Sequence, residues 1–334
     1  MQKYIITGFS GFVSKNFLEY LNSNKIQSTV LGIDVHEPAF DLRSYEYLKI
    51  KFEKTDLKDR DRLGKLIYDY RPNYILHLAS YSSVSGSWKN PNESFQNNVN
   101  IFLNLLEVIR MTGSICRIIS VGSSEEYGTV KLSDLPLKED QYLNPSSPFG
   151  IARFSQELLA KLYAEVYGLD IILTRSFNHI GPGQRDNFAI SSFARQLVEI
   201  KKSNVNEFVI AGDISIVRDF IDVRDVVHAY HMLFLKGKKG EIYNVCSGFG
   251  ISIHNIIQMM CEILEIQIYI KEDKKLIRPK DNPVIIGSNE KIKNEIKWCT
   301  QISLEESLRD ILEHYTLYQE SSNGKTIVKN YAGT

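Results

Sequence analysis

The sequence predicts an α/β protein built on a doubly wound parallel sheet, and three observations carry that prediction. Short runs rich in β-branched and aromatic residues recur at Lys3–Thr7, Thr29–Asp34, Ile50–Thr55, Tyr74–Ala79, Ile115–Val121 and Ile171–Arg175. Segments with apolar residues at helical spacing separate them, among them Arg60–Tyr70, Glu93–Met111 and Phe149 to about Tyr167. The runs are near-continuous in apolar character, as in YILHLA at Tyr74–Ala79, which suits strands covered on both faces. Strands alternating with helices in this way specify a parallel sheet wrapped by helices.

The first strand, Lys3–Thr7, runs into a glycine-rich turn. Gly8, Gly11 and Ser14 recur at three-residue spacing, and Phe12, Phe17, Leu18 and Leu21 follow in a helical pattern. Such a turn brings the backbone of Gly8, Phe9, Ser10, Gly11 and Phe12 close to a diphosphate, and the helix N-terminus adds partial positive charge. An ordinary strand-to-helix turn can show the same glycines. Here the second strand, TVLGID, ends in Asp34, 20 residues beyond Ser14. An Asp there accepts hydrogen bonds from adenosine ribose hydroxyls and repels a 2′-phosphate. No arginine follows among Val35, His36 and Glu37 to hold such a phosphate. The turn therefore reads as a dinucleotide site, Rossmann-type, with NAD(H) as cofactor.

Further along, Asp56-Leu57 follows the third strand and the polar loop GSSEEYG follows Val121. Pro145 and Pro148 bracket the entry to the helix beginning near Phe149, and Gly168 stops it. Beyond Phe177 the rhythm loosens into short strands (Phe208–Ala211, Ile242–Val245, Ile266–Ile270) and helices (Asn187–Lys202, Val223–Leu235, Ser252–Leu264, Ser303–Tyr315). The expected organisation is a dinucleotide domain over 1–176 and a smaller lobe over 177–319, interleaved with it and closing a cleft over the strand ends. Residues 320–334 read as a polar tail.

The 334 residues suffice for a sizeable core, and 40 basic against 40 acidic side chains leave no charge excess to attract nucleic acid or an anionic membrane. The basic cluster Lys271–Lys280 is interrupted by acids. Cys116, Cys246, Cys261 and Cys299 lie far apart with no CxxC pair, so neither a metal site nor a disulfide framework is expected. The first apolar run is too short for a secretion signal, and no run approaches a membrane span. A cytoplasmic protein with reduced thiols is the expectation.

Over about Lys3–Tyr315 the chain resembles the extended short-chain dehydrogenase/reductase family. TGFSGFVS at Thr7–Ser14 matches the family's TGxxGxxG, with Ser14 in place of the third glycine. Within the family the likeness is to the branch acting on GDP-linked hexoses, the GDP-4-keto-6-deoxymannose reductases and GDP-mannose 4,6-dehydratases. It is carried by VGSSEEYG (Val121–Gly128), SFNHIGPGQ (Ser176–Gln184), VRDFIDVRDVV (Val217–Val227), YNVCSG (Tyr243–Gly248) and RPKDNPVIIG (Arg278–Gly287). The resemblance implies that Asp56 and Leu57 border the adenine. Leu78, Ala79, Ser80, Asn98 and Val121 would line the rest of the cofactor. A GDP-sugar would meet Ser83 and Asn178, with Arg218 and Arg278 on its diphosphate, where a planar, permanently charged fork suits phosphate oxygens. An ion pair at the surface is the alternative for each arginine. It also implies a homodimer packed through the helices near Glu93–Met111 and Phe149–Tyr167.

The catalytic centre departs from the family. Its YxxxK pair falls on Phe149 and Arg153 in SPFGIARFSQE, in ungapped register, so neither Tyr142 nor Tyr163 is the displaced phenol. Phenylalanine has no proton to give, while Arg153 can keep the charge and hydrogen-bond the nicotinamide ribose. The proton could instead pass from Ser123 or Ser124, from Glu125, or from water relayed through the ribose. General acid–base help is worth about 10²–10⁴-fold, so its loss slows a positioned reaction rather than abolishing it. The alternatives are an impaired protein that binds both ligands, and a 4,6-dehydratase or epimerase. His77 and His179 read as packing residues.

Overall fold

The structure, a computed structural model, describes residues 1–203 and 208–323. The first half alternates as expected. β1 (Gln2–Thr7), α1 (Phe12–Ser23), β2 (Ser28–Asp34), β3 (Leu48–Lys54), α2 (Arg60–Tyr70) and β4 (Tyr74–His77) come first. They are followed by α3 (Val84–Lys89), α4 (Pro91–Phe95), α5 (Ile101–Thr112), β5 (Arg117–Ser123), α6 (Pro148–Val166) and β6 (Asp170–Ser176). The second half holds β7 (Asn178–Ile180), α7 (Ala189–Ser203), β8 (Phe208–Ala211), β9 (Val217–Asp222), α8 (Val223–Lys236) and β10 (Ile242–Val245). Last come β11 (Gly250–Ser252), α9 (Ile253–Leu264), β12 (Tyr269–Glu272), β13 (Val284–Ile285), α10 (Glu290–Ile296) and α11 (Leu304–Asn323).

Seven parallel strands form the main sheet in the order β10-β6-β5-β4-β1-β2-β3. Alternate residues of β1 explain its two covered faces. Tyr4 and Ile6 join the apolar layer made with α1 and α8, where Phe17, Leu18, Val226, Tyr230 and Phe234 are buried. Ile5 joins the opposite layer, with Leu63, Ile67, Phe102, Leu105 and Ala160 from α2, α5 and α6. The seventh strand, β10, and the covering helix α8 come from beyond residue 176, so the sheet borrows both from the second half. There, α7, α9 and α11 bury a third apolar cluster against β8. A small sheet, β11-β9-β13 with β7 on β9, lies beside it.

Several boundaries differ from expectation. β5 starts at Arg117 because Ile115 is 98% exposed and precedes the sheet. The helix expected over Glu93–Met111 is broken by a π-helical turn at Gln96–Asn100, which buries Asn98 and Val99. The strand expected at Ile266–Ile270 is shifted to β12, in register with β8. β9 escaped the sequence reading because it carries Arg218, Asp219 and Asp222, which the fold buries. Of the expected tail, residues up to Asn323 continue α11, and 324–334 lie outside the described residues.

Candidate active site

The glycine turn closes against the end of β4. Gly8 has φ +69, and a Cβ there would lie 2.6 Å from the Ala79 nitrogen, so only glycine fits. Gly11 begins α1 without a side-chain cap, and no acid occupies the first turn, so the N-terminal N–H groups and their dipole stay available to an anion. Asp34 accepts from the Ser10 backbone N–H (2.9 Å) and the His36 N–H (3.0 Å), which ties the end of β2 to the turn. A cradle that a Cβ would fill, uncapped N–H groups and a carboxylate at the end of β2 together fit a dinucleotide diphosphate and ribose. The Phe9 ring is fully buried, stacked 5.9 Å from Phe52, and a Cβ on Gly32 would strike it, so Phe9 offers the turn its backbone alone. Ser14 is fully buried as a close-packing residue, its hydroxyl unpartnered.

Around this turn lie the strand ends. Thr7 Oγ1 meets His77 Nδ1 at 2.8 Å and accepts from the Ala79 N–H at 3.3 Å, while Leu78 N–H donates to the Thr7 carbonyl. Burial drives the His77 imidazole down to about 3, so it stays neutral. Ser80 is half-buried just beyond. Asn98 sits in the π-turn, donating to the Ser94 carbonyl (2.7 Å) and the Tyr81 carbonyl (3.3 Å), with Oδ1 buried and unpartnered. Ser83 caps α3 by accepting from the Gly86 N–H (2.9 Å). Asp56 caps its own turn through the Lys58 N–H, and Leu57 is buried. Tyr81, unremarked in the sequence, lays its hydroxyl over Gly86, where a Cβ would lie 2.5 Å from it.

Phe149 and Arg153 occupy the first turns of α6. Phe149 is buried, its N–H donating to Ser87 Oγ at 3.2 Å. Arg153 is corrected relative to the ribose expectation. Its guanidinium is buried and turned to the sheet, Nη1 donating to the Val121 carbonyl and to Gln156 Oε1, both at 2.9 Å. It lies over the Phe149 ring, 5.2 Å from the centroid. Burial lowers its pKa to about 10, against the pull of Glu126, so it remains charged at neutral pH. Tyr142 is exposed, and the Tyr163 hydroxyl donates to Glu107 at 2.6 Å.

The loop after β5 forms the other wall. Ser123 Oγ accepts from the Glu125 N–H (3.2 Å), and the Ser123 N–H donates to Glu126 Oε1 (2.6 Å), a capping box that holds the 3₁₀ turn. Glu126 is fully buried, and burial together with the neighbouring Glu157 carboxylate raises its carboxyl well above the ordinary range; Arg175 donates to both oxygens of Glu157. Ser124 and Glu125 instead line a pocket with Asn178, Arg218 and Asp281. Asn178 is held by the Asp219 carbonyl (3.3 Å). Arg218 is buried and pairs with Asp281; Arg278 donates to Glu125 Oε1 (3.2 Å) and lies 3.7 Å from Asp281. Asp281 and Asn282 were missed in the sequence, where RPKDNPVIIG carried the resemblance and only Arg278 was singled out from it. Asn282 clamps the loop through the Val130 N–H and the Gly128 carbonyl. His179 is half-buried beside this wall, and desolvation lowers it to about 4. Among the described residues no group of three His, Cys, Asp or Glu side chains could hold a metal ion, and no helix is long and apolar enough to cross a membrane.

A doubly wound sheet with this turn and a polar, arginine-bearing pocket defines a nucleotide-binding α/β protein of the extended short-chain dehydrogenase/reductase type. The chain belongs to the GDP-mannose 4,6 dehydratase family, whose model matches residues 5–311. It is 31% identical to the GDP-6-deoxy-D-mannose reductase of Pseudomonas aeruginosa, over 94% of this chain and 97% of that one. It is 29% identical to the GDP-6-deoxy-D-talose 4-dehydrogenase of Aggregatibacter actinomycetemcomitans, over 87% and 90%. The structure of RMD from Pseudomonas aeruginosa complexed with NADPH aligns with a TM-score of 0.81 at 30% identity, covering 95% of this chain and all of that one. The UDP-glucose 4-epimerase of Thermotoga maritima with UDP-glucose aligns at 0.83 and 25% identity, with 95% and 100% covered.

Proposed function

We propose that the protein is an NAD(H)-dependent oxidoreductase acting at C4 of a GDP-linked sugar, a 4-keto-6-deoxyhexose, hexose or heptose. The observation that carries this reading is the pairing of the glycine cradle with a pocket lined by Asn178 and Arg218, whose Glu125 and Asp281 carboxylates are ion-paired to Arg278. A Cβ on Gly181, three residues beyond Asn178, would lie 3.3 Å from the Phe12 ring, so the segment after β7 packs against the start of α1. When bound, the cofactor supplies hydride exchange with the sugar carbon. The chain's own residues do the rest: Gly8–Phe12 would hold the diphosphate, Asp34 the adenosine ribose, and Leu78–Ser80 and Asn98 the nicotinamide end. Asp34 favours NAD(H) over NADP(H), because a 2′-phosphate would face a carboxylate already fixed by two N–H groups. Ser124 and Glu125 offer protons from the pocket wall, whereas Ser123 is committed to its cap.

A second reading, a binder that turns over poorly, draws support from Phe149, which has no proton, and from the inward turn of Arg153. Absorbance of NADH in the presence of a GDP-4-keto sugar separates the two. Consumption by the unaltered chain is expected. If nothing is consumed until Phe149→Tyr and Arg153→Lys are introduced together, the binder reading stands instead. We further propose a homodimer through the long helices: α6 keeps Phe149, Ala152, Gln156 and Ala160 inward but exposes Ile151, Leu158 and Leu162 along one stripe.

A further inference from the structure

Arg218, Glu125 and Asp281 line the sugar-side pocket, and Arg278 is ion-paired to both of its carboxylates. Arg278 bridges Glu125 and Asp281, and Arg218 pairs with Asp281. The four charges cancel. On the reading above, a sugar nucleotide brings a doubly negative diphosphate diester to the same two arginines, which pair with phosphate oxygens through their forked donors. The part-buried pocket would then hold more anion than cation, which a proton on one carboxylate relieves.

Glu125 is the carboxylate that yields. Asp281 ion-pairs with both arginines, whereas among the described residues Glu125 pairs with Arg278 alone. Burial already pushes the Glu125 carboxyl upward; Arg278 and Arg218 oppose this and Asp281 reinforces it. The elements packed against its turn do not compensate. Arg153 of α6 is committed to the Val121 carbonyl and to Gln156, and Arg175 of β6 to Glu157.

We propose that Glu125 is the proton donor of the reaction and that the substrate arms it: the diphosphate draws Arg278 away, Glu125 takes up one proton, and that proton passes to the sugar's C4 oxygen. In the reductive step the C4–O π bond opens, C4 gains hydride from the reduced nicotinamide, which is thereby oxidised, and the oxygen gains the Glu125 proton. The carboxylate left behind recovers its proton from water. A carboxylic acid thus stands where the phenol is missing.

Calorimetry of GDP-mannose binding to the full chain, in buffers of different ionisation enthalpy, counts the protons taken up. GDP-mannose itself does not titrate between about pH 5 and about pH 8, so uptake belongs to the protein. The expected result is uptake approaching about one proton per site, with affinity falling up to about tenfold per unit as pH rises. Glu125→Gln, a stand-in for the neutral acid, should bind without uptake and with affinity flat in pH. Its turnover of a 4-keto substrate should fall about 10²–10⁴-fold. Binding without proton uptake, or uptake unchanged in Glu125→Gln, overturns this inference alone. Absence of any GDP-mannose binding overturns the sugar-nucleotide reading, and this inference with it.

Discussion

Gly8 concentrates the requirements of the nucleotide turn in one residue. Its φ of +69 is a conformation that L side chains rarely adopt, and a Cβ would approach the Leu78 carbonyl carbon and Ala79 nitrogen within 2.8 Å. Neither neighbour is a flexible side chain, so the backbone of β4 would have to move. Gly8→Ala should therefore cost about 2–5 kcal/mol, from left-handed strain and overpacking together. Urea denaturation reads the loss, and NADH fluorescence should show weakened binding in the fraction that still folds. The adjacent serines of the β5 loop show how position divides identical side chains: Ser123 turns back to cap its own 3₁₀ turn, while Ser124 faces the pocket. Arg153 makes the same point for charge, since its cation faces a strand carbonyl rather than the cleft.

Helix α6 serves two surfaces at once. Its inward face, from Phe149 through Ala152 and Gln156 to Ala160, is buried against β5, β6 and the π-turn. Its outward face leaves Ile151, Leu158 and Leu162 each about half exposed, at spacings of seven and four residues, which is one stripe of an α-helix. A second copy covering this stripe would remove that apolar area from water at about 25 cal/mol per Å². Leu158→Glu with Leu162→Glu should leave the circular dichroism spectrum unchanged and convert a dimer to a monomer by light scattering. A monomeric unaltered chain under the same conditions would remove the dimer proposal. The π-turn before α5 belongs to this scale too. It holds Asn98 at the strand end with Oδ1 unpartnered, a placement that an uninterrupted helix would not give.

On the scale of the whole chain, the main sheet is not a product of its first half. β10 pairs with β6 at one edge, and α8 covers the layer containing Tyr4, Ile6, Phe17 and Leu18. A fragment ending at residue 176 loses both, leaving that apolar layer open to water. It should lack a cooperative thermal transition and bind apolar dyes, whereas the full chain melts in a single step. A fragment that folds cooperatively would make 1–176 an autonomous domain.

The sheet, its covering helices and the glycine turn were legible in the residues themselves, and the place of Phe149 and Arg153 at the start of α6 followed from the resemblance. Apolar periodicity, a glycine forced by a left-handed turn and an aligned motif are properties of neighbouring positions. β9 was not legible, because Arg218, Asp219 and Asp222 look like a solvated run until the fold pairs them. Nor was the commitment of Glu125 to Arg278, 153 residues away, or the sharing of Asp281 between two arginines. Local pattern determines which segments must be buried and where the backbone must turn. Which charge neutralises which depends on distances that only the packed chain sets, and the tertiary structure alone decided where a proton donor can stand.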